Sequence, residues 1–117
     1  MKNKVLIYDS TNGFKRFFKM SFNNKFDCEN FLEYKLRENV NYDHFNAVFF
    51  IVNSPMDLLD LLVIYKKGGL IFLGSPIVKI SEDLKVLEDV IFLDLQLKRS
   101  EIVNFIKYNL RLFEKQE

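Results

Sequence analysis

Four uninterrupted apolar runs, each about as long as one β-strand, set the terms on which this chain can fold. They are "KVLIYD" (Lys4 to Asp9), "AVFFIVN" (Ala47 to Asn53), "GLIFLGS" (Gly69 to Ser75) and "DVIFLDL" (Asp89 to Leu95). A strand with one face in water alternates apolar and polar residues, and these do not alternate, so both of their faces must be covered. A parallel sheet with helices on each side meets that demand, and parallel neighbours require crossover connections long enough to hold a helix.

The segments between the runs are helical. Ser54 is a suitable N-cap, Pro55 fits the first helical position, and Asp57 can close a capping box. Leu58, Leu61, Leu62 and Tyr65 follow at helical spacing, Lys66 and Lys67 sit where the helix dipole favours cations, and Gly68 supplies a stop. A last helix begins near Ser100 and carries Ile102, Phe105, Ile106, Leu110 and Phe113 as its apolar stripe. A first helix starts after Ser10 or Thr11 and buries Phe14, Phe17 and Phe18, and a short one follows Ser81 and buries Leu84 and Leu87. Between Lys25 and Phe45 the pattern supports both strand and helix. We place a short strand at Lys25 to Glu29 and a helix within Phe31 to Asn39, which gives five strands and five helices in alternation.

At 117 residues this is one domain, residues 1–117, with no repeat or flexible linker to divide it. A net charge of +1 provides no field for nucleic acid or an anionic membrane, and the N-terminal apolar run meets a charge too early for a signal peptide or a membrane span. A cytoplasmic location is expected. The single cysteine, Cys28, reads as a small, half-buried apolar residue, and the single histidine, His44, as a loop residue; neither has the neighbours that metal or triad chemistry needs. Gly68 and Gly69 precede a strand and so form no phosphate loop, while Lys98 with Arg99 reads as a solvated turn. No cofactor is expected.

In an open parallel sheet, ligands bind beyond the carboxyl ends of the strands. Those ends hold Asp9 and Ser10, Asn53 and Ser54, Gly74 and Ser75, and Asp94 to Gln96, the candidate site of this chain. Asp9 and Ser10 could bind a cation or a small ligand there, but read more readily as caps of the first helix. With these residues in view, the chain resembles the receiver domains of bacterial two-component response regulators over essentially its whole length. "KVLIYDS" is similar to the family's first strand, which ends in two acidic residues that hold magnesium; Asp9 matches one and Ser10 stands for the other. Lys15 falls where the family often has a basic residue. With Pro55 set on the family's common proline, the phosphoacceptor aspartate falls on Ile51. The Thr or Ser that ends the fourth strand falls on Gly74, with Ser75 next to it, and the Lys-Pro pair of the fifth strand falls on Leu95 and Gln96. Phe92 keeps the aromatic switch position.

The resemblance implies a three-layer flavodoxin-like sandwich, with a five-stranded parallel sheet of order 2-1-3-4-5 and helices on both faces. Phosphoryl transfer needs a carboxylate nucleophile, hard-oxygen ligands for a divalent ion and a cation for the acyl phosphate. Ile51, a lone Asp9 and Leu95 offer none of the three in full, and a shift of register to Asn53 supplies no nucleophile either. The expected function is that of a pseudo-receiver: a non-catalytic signalling domain that binds another signalling protein, or a second copy of itself, without aspartyl phosphorylation. Receivers signal through the fourth helix, fifth strand and fifth helix, which implies a partner surface containing Ile77, Lys79, Leu84, Val86, Phe92, Lys107 and Arg111. Two other readings use the same strand ends. One is a flavodoxin-like binder of a small molecule or nucleotide, with an open pocket lined by Asp9, Ser10, Asn53, Gly74 and Ser75, and a crevice plugged by Ile51 and Leu95 would oppose it. The other is a phosphoacceptor domain with an unusual acceptor.

Overall fold

The structure, a computed structural model, describes residues 3–22, 25–30, 45–65 and 70–115. In chain order the elements are β1 (Asn3–Tyr8), α1 (Gly13–Ser21), β2 (Phe26–Asn30), β3 (Ala47–Ile51), α2 (Asp57–Tyr65), β4 (Ile71–Gly74), α3 (Val78–Leu84), β5 (Ile91–Phe92) and α4 (Arg99–Lys115). The strands form one parallel sheet in the order β2-β1-β3-β4-β5, which is the flavodoxin-like topology. The helix expected within Phe31 to Asn39, the stop at Gly68, and His44 lie outside the described residues.

Successive residues of a strand point to opposite faces, and here both faces are core. Val5 and Ile7 of β1, Phe49 and Ile51 of β3 and Phe72 of β4 face α1 and α4, where they meet Phe14, Phe18, Ile102, Ile106 and Leu110. Leu6, Tyr8, Val48, Phe50 and Leu73 face the other way, onto Leu61 and Ile64 of α2 and Leu84 of α3. The first core is aromatic: the Phe18 and Phe49 rings lie 4.8 Å apart, and Phe49 stacks on Phe72 at 4.6 Å with an interplanar angle of 12°.

Several elements differ from their sequence reading, each for a local reason. Strand β1 ends one residue early because the Asp9 carboxylate turns to take the amides of Thr11 and Phe14. Strand β5 keeps only two residues, since the Asp94 carboxylate accepts the Gln96 amide and closes a turn. Helix α3 starts ahead of Ser81, which is buried within it, and stops at Leu84, so Leu87 stays out of the core. Residues 54–56 form a tight turn before α2, and Asp57 reaches back to the Ser54 amide at 3.1 Å, the return half of the expected capping box.

Helix α2 carries the largest departure. Its core face is Asp57, Leu61 and Ile64, whereas Leu58, Leu59, Leu62 and Tyr65 are exposed, Leu59 and Leu62 by 60% and 57%. The stripe expected through Leu58, Leu61, Leu62 and Tyr65 is therefore rotated. A helix that is apolar all round gives the sequence no angle by which to choose its buried side.

Candidate functional site

The carboxyl ends of β1, β3, β4 and β5 come together with the N-termini of α1 and α4, as the doubly wound topology requires. At the centre is Asp9, only 3% exposed. Its Oδ1 accepts hydrogen bonds from the Thr11 amide (3.1 Å), the Thr11 hydroxyl (2.9 Å) and the Asn53 side-chain amide (2.7 Å), and its Oδ2 accepts one from the Phe14 amide (2.7 Å). The carboxylate thus caps α1 from outside the helix and ties it to the end of β3. Asn12 completes the turn in the left-handed region at φ 60°, where asparagine is among the better tolerated side chains.

Asn53 is the second hub. Its side-chain nitrogen also approaches the Ser10 hydroxyl at 3.2 Å, and its backbone amide donates to Asp57 Oδ2 at 2.8 Å. The other Asp57 oxygen and Asp60 Oδ2 both lie 2.8 Å from the Tyr8 hydroxyl. Burial, followed by these hydrogen bonds, pushes the Tyr8 phenol well above its ordinary range. An unfolded tyrosine ionises near pH 10 while this one keeps its proton, so stability is intact below about pH 10 and falls as pH rises beyond it. Tyr8→Phe is expected to lower the unfolding free energy by about 2 kcal/mol at neutral pH and to flatten that alkaline decline, both read from urea melts across pH.

Gly74 ends β4 beside Ile51. A Cβ built there would collide with the Leu93 carbonyl oxygen and press on Leu93 Cβ at 3.2 Å, so no side chain fits at this strand end. Gly74→Ala is expected to lose about 2 kcal/mol in the same urea melts. Ser75 is fully buried and turns inward, donating to the Val52 carbonyl and accepting from the Ile77 amide at 3.1 Å. Neither residue faces the space beyond the strand ends.

That space is an open crevice of about 480 Å³. Phe14 and Phe17 of α1, Ile51, Leu95, Leu97 and Ile102 make its apolar lining, and Asp9, Thr11, Asn53 and Arg99 supply polar groups. Of the strand-end residues expected around a pocket, Asp9 and Asn53 are present, while Ser10, Gly74 and Ser75 are not. Ile51 and Leu95 form wall without closing the opening. The roles that Arg99, Phe17 and Leu97 take there had no sequence signal, because nothing in their own segments reveals which end of the sheet they meet.

The described residues fit a magnesium ion poorly. Magnesium requires near-octahedral hard oxygens, and both oxygens of Asp9 are already engaged by chain donors, with Ile51 and Leu95 as neighbours. Among the described residues no group of three His, Cys, Asp or Glu side chains could hold a metal. Cys28 is half-buried in β2, and burial raises its thiol above the ordinary value against the pull of Lys19 and Lys15, which disfavours a nucleophile.

On the surface implied for partners, Ile77, Lys79, Val86 and Lys107 are exposed and Phe92 is half-buried beneath Lys85 Nζ, 5.7 Å from its ring centre. Leu84 is corrected: it packs into the core of α3 against the sheet and cannot meet a partner. The side chain of Arg111 lies outside the described residues.

No protein-family model and no curated protein matches the chain. Solved structures do. A CheY-like response regulator receiver domain protein from Methanospirillum hungatei is 17% identical over all of both chains, with a TM-score of 0.61. The receiver domain of the Francisella response regulator 1452 is 19% identical over 99% of this chain and all of its own, with a TM-score of 0.59. The described residues have the receiver fold.

Proposed function

We propose that the chain is a receiver-like signalling domain that acts by contact with another protein and takes up no phosphate on an aspartate. The observation that carries this reading is the pairing of an aliphatic side chain at the end of β3 with a lone carboxylate already spent on capping. Ile51 is 2% exposed, and Asp9 accepts four hydrogen bonds from its own chain. An acyl phosphate would need a nucleophile at the first and a metal at the second.

The proposed contact surface is the exposed part of α3, β5 and α4, with Ile77, Lys79, Val86 and Lys107 outward and Phe92 at its edge. Exposed apolar residues among charges of both signs, Lys79, Lys85 and Lys107 with Glu82, Asp83 and Glu88, suit a protein partner better than a nucleic acid, given the near-zero net charge. The partner is another signalling protein or a second copy of the chain, and the compartment is the cytoplasm; among the described residues no helix is long and apolar enough to cross a membrane.

Incubation with acetyl phosphate and magnesium, followed by intact mass, tests the reading against a phosphorylatable receiver treated in parallel. No added mass on this chain is expected, and a stoichiometric phosphoryl adduct would overturn it.

A further inference from the structure

The crevice beyond the strand ends has a composition unlike that of a phosphoryl site. Its volume of about 480 Å³ falls within the range of small-molecule pockets, ~300–1,000 Å³. Phe14 and Phe17 form one wall and Ile102 stands on α4, with Ile51 and Leu95 between the two helices. Such a lining gains by removing apolar surface from water and offers little to a sugar or a polyphosphate.

The charged groups fix the polarity of an occupant. Arg99 is the first residue of α4, where the helix dipole is positive, and among the described residues it has no ion-pair partner. Asp9 lies in the same lining, but its charge is met by the donors that bind it and by the start of α1. A cationic ligand would therefore find its carboxylate already engaged, and a polyphosphate would find one guanidinium for several charges. One carboxylate can pair with that guanidinium through two parallel hydrogen bonds.

We infer that the crevice binds a small molecule with one carboxylate on an apolar body, the carboxylate on Arg99 and the body between the phenylalanines of α1 and Ile102. The inference rests on the crevice alone and holds whether or not the chain signals. If it does signal, occupancy of this pocket by a ligand stands where phosphorylation stands in a receiver, because the pocket joins the ends of β3 and β5 to both flanking helices.

Titration of the chain with octanoate, octanol and acetate, followed by the methyl signals of Ile51 and Ile102, tests the inference. Octanoate is expected to shift both signals saturably, octanol more weakly and acetate not at all. Arg99→Gln, at an exposed position, is expected to weaken octanoate roughly tenfold and leave octanol unchanged. Leu97→Trp, at the exposed mouth, is expected to exclude both while the amide spectrum elsewhere overlays that of the parent. Absence of a saturable octanoate shift, equal octanoate affinity in the parent and Arg99→Gln, or undiminished binding in Leu97→Trp would each overturn it. A phosphoryl adduct in the acetyl phosphate assay leaves this titration untouched, so the two readings fail separately.

Discussion

Ile51→Asp, which puts a carboxylate back where the receiver resemblance places one, is expected to lower the unfolding free energy by about 4 kcal/mol at neutral pH and to restore no phosphorylation. Ile51 is 2% exposed and packs between Phe49, Leu93 and the α1 and α4 core. The substitution removes buried aliphatic surface and sets a charge in an apolar wall that also contains Asp9. The introduced carboxyl is disfavoured as an anion, so its folded pKa rises. Between the unfolded and the raised folded value the native state holds more protons, and stability recovers as pH falls through that window. Urea melts at neutral and mildly acidic pH measure both effects, and intact mass after acetyl phosphate measures the chemistry. A variant as stable as the parent that acquired phosphate would show that the strand end is an acceptor site lacking only its aspartate.

Asp9→Ala is expected to lose about 3 kcal/mol, and the sign of that change is the informative part. Where several carboxylates are gathered to await a metal, they repel one another, and truncating one relieves strain. Here a single carboxylate holds the Thr11 and Phe14 amides, the Thr11 hydroxyl and the Asn53 side chain. Its removal leaves those donors without their acceptor at the start of α1. Thermal unfolding should fall by roughly 10 °C for a domain of this size. A midpoint equal to or above that of the parent would mean that Asp9 is held against its preference, as a ligand residue would be.

Much of this architecture is legible in the chain. The continuous runs around Phe49 and Phe72 demand a sheet covered on both faces, and the Ser54, Pro55 and Asp57 sequence announces a helix start that the Asp57 to Ser54 bond confirms. The two-residue β5 was less legible, because apolar content is equal across "DVIFLDL" and only the Asp94 turn decides where pairing ends. The exposed leucines of α2 could not be read either, for its amphipathic signal is almost absent. At the site, the sequence supplied the residue types at the strand ends and missed their orientation. Ser75 turns inward, and Gly74 is reserved by the backbone carbonyl of Leu93, nineteen residues away in sequence. The resemblance sets Asp9 on a metal position, whereas its place just ahead of the first helix reads as a cap, and the structure gives it the cap role. Long-range approach, unlike periodicity, leaves no local trace.

The stretch from Asn46 to Asn53 holds one more consequence. Between its two asparagines every residue is apolar and buried, so sliding β3 by one position along β1 would exchange one oily side chain for another and meet little hydrophobic resistance. The asparagines supply the missing information. Asn46 pairs with Lys4 through both its backbone amide (2.7 Å) and its side-chain oxygen (2.9 Å), and Asn53 reaches Asp9 at the far end. They act as end-stops on a ruler, leaving the letters between them free to vary among apolar types while fixing how many there are.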